Sequence, residues 1–520
     1  MEMNFIAAGQ NSLDINCSIC CKKPVHKKLL LLSKQFLLTV IIIVLSLTNI
    51  LFAQENKLTV DWNKIIMISK TTPTLQVVEN PAVRPGSSIH AKTFQALKNL
   101  GADYVRYVPW FPYPKMAVAE LKRPTKTATF WDFTYLDSTM EAIMNATKGH
   151  SVMINFSTTP SWLWKINYDM PYPENAYEVF WAYNDGTELR DTTMNELANY
   201  YARLFSWYTR GGFTDELGKF HQSNHFYTIP YWEVLNEPDL EHNISVEQYT
   251  KMYDAIVGKL KKISPSTKFV GILLAFNARP EYFEYFLNPK NHKPGIPLDG
   301  ISYHFYGTKL YADQSLDSYQ YTFFDKSTAF LEKVKFIESI RKRLSPKTFT
   351  TVNEIGTIIN SNLGDDIPAP YWNLSGAMFA HIYMELTKLG IDIAGESQLV
   401  GYPTQFPDVS MMNWQNGKPN SRYWILKLLL DNFGPGDKLV STEVKDADII
   451  SQAFVTSKGK KILLINPRNK EIKINLPAEA KDARVYFVDM STGDNPIGQI
   501  QLNDSAVVLK PYAVAIAQLK

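Results

Sequence analysis

The stretch Tyr231-Trp-Glu-Val-Leu-Asn236-Glu237-Pro238 is an apolar run that ends on an Asn-Glu pair, with a proline immediately after it. Proline has no N–H to give to a sheet ladder, so it ends the strand where the acidic residue begins. A second such segment, Val352-Asn353-Glu354-Ile355-Gly356, follows 117 residues later. Between them lie two further apolar runs, Lys268–Ile272 and Gly300–Tyr306, and a helical stretch at 246–263 with Tyr249, Tyr253, Ile256 and Leu260 at three- and four-residue spacing. Short apolar runs alternating with helical stretches describe βα units around a parallel sheet.

The same alternation extends in both directions. Upstream, a helix over 90–100 precedes a strand within Gly101–Trp110, and Ser151–Phe156 forms the next. A helix over 191–209 then leads into the run at 231. Downstream, a helix over 328–343 precedes Thr348–Asn353, and a helix over 375–389 precedes Ile391–Ala394. With a first strand placed near 58–68, about eight strands result, enough to close a (β/α)8 TIM barrel over residues 54–436. Glu237 and Glu354 then end the fourth and seventh strands. In such a barrel the strand C-termini line one face, where catalytic groups gather.

After Phe433-Gly-Pro-Gly436 the pattern changes. Residues 437–520 carry short alternating segments at 449–455, 461–465, 472–476, 483–488, 506–509 and 513–518, separated by turns such as Ser457-Lys-Gly. This reads as a C-terminal β-sandwich accessory domain. It contains no histidine and no acidic pair suited to catalysis.

The N-terminus reads as a leader. Lys27 and Lys28 precede an apolar run from Phe36 to Leu47, and Ala53 stands before polar Gln54-Glu55-Asn56. A basic region, an apolar region and a small residue at the junction describe a secretory signal over residues 1–53, cleaved after Ala53. The expectation is a secreted, periplasmic or envelope protein with no stable membrane insertion once the leader is removed. All three cysteines, Cys17, Cys20 and Cys21, lie in the leader, so the mature chain has neither disulfide nor thiol nucleophile.

The chain has 520 residues, 45% hydrophobic and 20% charged, as expected of a globular protein. A net charge of +3 gives no electrostatic case for nucleic acid. Histidines are scattered and no His-Glu-x-x-His occurs, so no metal site is expected, and nothing calls for a cofactor. Aromatics reach 13%. That leaves two uses open, a large core and rings that stack on sugars.

A pair of carboxyl groups on one barrel face suits cleavage of a glycosidic bond. One carboxyl protonates the leaving oxygen and the other attacks the anomeric carbon. The two Asn-Glu segments resemble those of the clan A glycoside hydrolases. Ile301-Ser-Tyr-His304-Phe-Tyr306-Gly307 is similar to the sixth-strand segment of glycoside hydrolase family 39. Asn413-Trp414, Gly417–Asn420 and Arg422–Leu429 are similar to the link to the accessory domain in families 39 and 79. The resemblance implies a retaining hydrolase of O-glycosyl compounds, acting on β-linked oligo- or polysaccharides. Glu237 would be general acid/base and Glu354 nucleophile.

Around this pair, Asn236 is placed to bind a sugar hydroxyl and Arg106 to pair with Glu354. His304 and Tyr306 share a strand face, so one can hydrogen-bond the nucleophile while the other meets sugar. Trp110, Trp162, Trp164 and Trp414 are candidate stacking platforms, and Glu396 on the eighth strand is a candidate substrate contact. Glu233, inside its strand, reads as structural. A catalytically inactive carbohydrate-binding protein and a transglycosylase using the same residues stay open.

Overall fold

Eight parallel strands close on themselves in chain order: β1 (Thr72–Val78), β2 (Val105–Val108), β3 (Val152–Ile154), β4 (Tyr231–Glu233), β5 (Lys268–Leu274), β6 (Gly300–Tyr303 and Phe305–Thr308, interrupted at His304), β7 (Phe349–Ile358) and β8 (Ile393–Glu396). The closing register pairs Ile393 with Thr72 and Glu396 with Leu75. The computed structural model describes residues 57–168, 170–275, 279–359, 367–445 and 448–520. The leader, its cysteines and the junction at Ala53 lie outside the described residues.

Helices follow the strands in the order required for a (β/α)8 barrel: α1 (His90–Leu100), α2 (Thr134–Ala146), α3 (Asn195–Thr209), α4 (Val246–Ile263), α5 (Pro280–Phe286), α6 (Leu316–Leu344), α7 (Ala369–Leu389) and α8 (Ser421–Asn432). Their ends have local causes. The Ser245 hydroxyl caps α4 by accepting from the Gln248 N–H. Gly390, at φ 75°, lets the chain leave α7 in the left-handed conformation. Ser315 caps α6 in the same way as Ser245, so this helix begins 12 residues before the stretch read from apolar spacing. The helix faces and the outer strand faces bury one continuous core that includes Leu97, Leu204, Trp232, Tyr249, Phe269 and Ile382.

The first barrel strand differs from expectation. Leu58–Ile68 pairs antiparallel with Lys438–Val444 and belongs to a different sheet. Its burial alternates and Ile65, Ile66 and Ile68 stay exposed, whereas β1 is buried along nearly its whole length. A parallel barrel strand is covered on both faces and reads as a continuous apolar run. Thr72-Pro-Thr-Leu-Gln-Val-Val78 fits that demand, and the charged Leu58–Ile68 segment does not.

The C-terminal region thus recruits residues from the other end of the described chain. Its seven-stranded antiparallel sheet runs in the order Leu58–Ile68, Lys438–Val444, Ile450–Thr456, Gly459–Ile465, Val514–Gln518, Arg484–Val488, Gly498–Gln501. A two-stranded sheet, Ile472–Asn475 with Ala506–Leu509, shares a core with it through Leu58, Val440, Ile462, Leu464, Ile474 and Val507. Side chains on alternate positions, such as Leu463 and Ile465, instead join the barrel's core. Period-two alternation thereby gives this sheet two buried faces. Among the described residues no helix is long and apolar enough to cross a membrane.

Candidate active site

Glu237 and Glu354 meet at the C-terminal face of the barrel. Glu354 lies on β7, and Glu237 follows β4 in a turn where Leu235 and Glu237 both take positive φ (63° and 39°). The Glu237 N–H donates to the Leu273 carbonyl at the end of β5 and ties the turn down. Their side chains are 12% and 10% exposed and open into one cavity of about 700 Å³. One oxygen of each carboxyl and one ring nitrogen of His304 all lie within 4.8 Å of one another.

Arg106 on β2 organises the floor. It is fully buried and engages four groups at once: Glu354, Glu233, Gln76 Oε1 (2.6 Å) and Asn236 Oδ1 (2.7 Å). Buried charge is tolerated only when paired and hydrogen-bonded, and this guanidinium has a partner for each nitrogen. Glu233, read from the sequence as structural, is the last residue of β4 and anchors this network. It takes Arg106, Asn155 Nδ2 (2.8 Å) and Asn353 Nδ2. Tyr306 donates to Glu354 Oε2 (2.7 Å), and its ring lies over Gly356, where an added Cβ would sit 3.0 Å from it. His304 Nδ1 is 2.8 Å from Glu237 Oε1.

The two carboxyls hold protons differently. For Glu237, burial is the main cause that raises the pKa well above the usual carboxylate value, and the charges of Glu354 and Asp239 add to it against Arg106. For Glu354, burial also pushes upward, but His304, Arg106 and the Tyr306 hydroxyl together bring it below the usual value. Burial itself lowers the basicity of His304, while the Glu354 charge beside it works the other way. With Nδ1 on Glu237, the buried Nε2 has no hydrogen-bond partner among the described residues. Glu237, His304 and Glu354 are also the group whose atoms are close enough to hold a cation. Arg106 already supplies the positive charge against Glu354, and a divalent ion would have to sit beside it.

The remaining sequence candidates divide. Asn236 lines the cavity with its amide fixed from both ends, Oδ1 by Arg106 and Nδ2 on Glu241 Oε1 (2.9 Å). Trp110 lines it as well, its indole N–H on Glu241 Oε1 (2.8 Å). Trp162 does not line it; its ring is in the core and its N–H donates to the Glu120 carbonyl (2.9 Å). Trp164 is buried against the His242 ring, 3.9 Å between centroids. Trp414 packs on the core from a loop outside the cavity. Glu396 does not face substrate either. It is fully buried and paired with Arg422 of α8 at 2.9 Å, because the end of β8 points it into the barrel–helix layer.

Other residues join the site that strand-end reasoning had missed. Trp181 and Phe406 surround Trp110 at centroid distances of 5.4 and 6.2 Å and extend the aromatic wall. Glu241 holds Asn236, Trp110 and Asn184 together, and burial, with Glu237 nearby, pushes its carboxyl up to about 8. Ser397 bridges Gln76 and Tyr306. All but Gln76 sit on loops or just past strand ends, where no periodicity marks them; Glu241 alone had a local signal, four residues after Glu237.

Solved structures that share this architecture include glycosidases. A glucosidase from Croceicoccus marinus superposes with a TM-score of 0.58 at 14% identity, covering 90% of this chain and 99% of the other. The thermostable GH51 α-L-arabinofuranosidase of Thermotoga petrophila gives 0.59 at 14%, covering 90% and 100%. A monomeric β-xylosidase from Caulobacter crescentus gives 0.57 at 14%, covering 89% and 99%. What is shared is the fold. No protein-family model matches the sequence, and no curated protein matches it. The similarity runs through the accessory sheets as well as the barrel, since nine-tenths of the chain is covered.

Proposed function

We propose that this protein is a retaining O-glycosidase of the clan A type, with Glu354 as nucleophile and Glu237 as general acid/base. The observation that carries the reading is the pairing of two carboxyls of opposite proton affinity, one oxygen of each within 4.8 Å, at the mouth of one cavity. Direct attack needs carboxyl groups about 5–5.5 Å apart, whereas an inverting pair stands about 6.5–9.5 Å apart to admit water between carboxylate and sugar.

In the first step the ionised Glu354 forms a bond to the anomeric carbon. The bond to the leaving oxygen breaks, and Glu237 delivers its proton to that oxygen. The glycosyl ester no longer carries the Glu354 charge, so the proton affinity of Glu237 falls and it becomes a base. Water then attacks the anomeric carbon, Glu237 takes its proton, and Glu354 departs as carboxylate. Asn236, clamped by Arg106 and Glu241, presents its amide to a sugar hydroxyl, and Trp110, Trp181 and Phe406 offer faces for the ring.

We read the leader as a signal that directs this activity outside the cytoplasm, to oligo- or polysaccharides. We read the antiparallel sheets as a β-sandwich that covers the barrel's flank. The described lining of the cavity comes from residues 76–409, none of them in this unit. The deciding experiment exposes the purified protein and its Glu354→Gln variant to aryl β-glycosides and plant or microbial oligosaccharides. Release of sugar by the wild type alone, with the anomeric configuration retained, supports the proposal. Equal behaviour of the two proteins would sink it.

A further inference from the structure

The cavity is chemically lopsided. On one side, toward β1, β2 and β8, stand Arg106 and the aromatic wall around Trp110. Arg106 spends its nitrogens on Gln76, Glu233, Asn236 and Glu354, so it has nothing to offer an anion on the substrate. The other side continues from β6, the strand whose His304 holds Glu237. There Phe305 stacks on Phe330 of α6, ring centroids 4.5 Å apart, and Lys326 and Lys333 of the same helix flank that pair.

These lysines are the lining cations among the described residues, and neither is paired with a carboxylate there. Lys326 is half-buried. Its ammonium donates to Thr308 Oγ1 (2.6 Å) and to the Lys309 carbonyl (3.0 Å), both neutral acceptors. Burial alone moves its pKa, downward, because no counter-charge opposes it. Lys333 stands seven residues on, two helical turns or about 10 Å along the axis, on the same face. Surface lysines usually reach water or a carboxylate. Here both lysines line a cavity with a stacked aromatic pair between them, a surface suited to a sugar ring carrying negative charge.

β6 reaches both carboxyls, Tyr306 contacting Glu354 and His304 contacting Glu237, and the leaving group stands on the Glu237 side. Resting on the glycosidase reading above, we propose that the β6–α6 wall binds the anionic group, a uronate carboxylate or a sulfate ester, of an acidic saccharide from which the enzyme releases a neutral sugar. Lys326 and Lys333 supply the countercharge, and Phe305 with Phe330 supports the ring.

The test compares kcat/KM on three disaccharides. Each carries the sugar preferred in the aryl-glycoside screen, linked to glucose, to glucuronic acid or to glucose 6-sulfate. The ratio of acidic to neutral substrate is read within each protein, so any general loss cancels. At low salt the wild type should favour at least one acidic substrate by about fivefold or more, and the preference should shrink at high salt. Lys326→Met should lower the ratio. Lys333→Glu, on an exposed position that threatens no packing, should bring it to one or below. Preference for the uronate alone, or for the sulfate alone, names the source of the charge. A wild-type ratio near one with both acids, or a ratio untouched by Lys333→Glu, overturns the inference while leaving the glycosidase reading intact. No cleavage of any aryl glycoside or disaccharide overturns both.

Discussion

Two buried glutamate–arginine pairs are built on the neighbouring strands β7 and β8, and only the first faces the cavity. Glu354 on β7 pairs with Arg106; Glu396 on β8 pairs with Arg422. Burial pushes both carboxyls upward. Glu396, with Arg422 as its one charged partner, ends at about 7. Glu354, which also has Tyr306 and His304, ends below the usual value. The second oxygen of Glu396 has no hydrogen-bond partner among the described residues. Burial of an acid beside an arginine therefore does not mark a catalytic group. What distinguishes Glu354 is the number of donors converging on it, its access to the cavity, and a second carboxyl within 4.8 Å that prefers to keep its proton.

Substitution should separate the two pairs most sharply at Glu354. Glu354→Gln removes the attacking oxygen and should reduce turnover by about 10⁴-fold or more, with the circular dichroism spectrum unchanged. A residual rate within tenfold of wild type would dissolve the contrast.

Glu237→Ala should cost about 10²–10⁴-fold on poor leaving groups and much less on activated aryl glycosides, which need little proton assistance. Azide should restore the rate and yield glycosyl azide, because a small anion attacks the intermediate without a base. Equal losses on good and poor leaving groups would remove Glu237 from the acid/base role.

Glu396→Gln should leave turnover of the folded enzyme within about tenfold of wild type but lower Tm, since breaking a buried ion pair leaves Arg422 uncompensated, a cost of about 3–5 kcal/mol. Thermal melts alongside kcat decide this. A large fall in kcat at unchanged Tm would place Glu396 in the chemistry after all.

The mildest test is the pH profile of kcat/KM. Activity requires Glu354 ionised and Glu237 protonated. The rate should rise as pH passes upward through the lowered Glu354 pKa and fall as it passes through the raised Glu237 pKa. Glu237→Gln should flatten the alkaline limb only; loss of the acidic limb instead would exchange the two assignments.

Much of this arrangement was legible beforehand. Seven of the eight barrel strands follow from apolar runs, and the turn that carries Glu237 from the proline after Asn236-Glu237; Glu354, read as the end of its strand, lies within Phe349–Ile358. The first strand was misplaced because Leu58–Ile68 has enough apolar residues for a strand, while the burial of both faces that selects Thr72–Val78 is a property of the closed barrel. The tryptophans illustrate the same limit. Trp110 and Trp162 look alike in sequence, each just beyond a strand. The chain after β2 leaves Trp110 in the cavity, and the turn after β3 folds Trp162 onto the Glu120 carbonyl.

By itself, then, the sequence determined what local chemistry can encode: strand and helix periods, the breaks at proline and glycine, and two Asn-Glu pairs that close apolar runs. The tertiary structure alone decided which side chains converge. Arg106, Glu233, Asn353 and Gln76 come from four strands, and the aromatic wall and the lysines of α6 come from segments hundreds of residues apart. The proton affinities of Glu237 and Glu354 belong to that convergence as well. They are set by burial and by charges a few ångströms away, and no spacing along the chain records either.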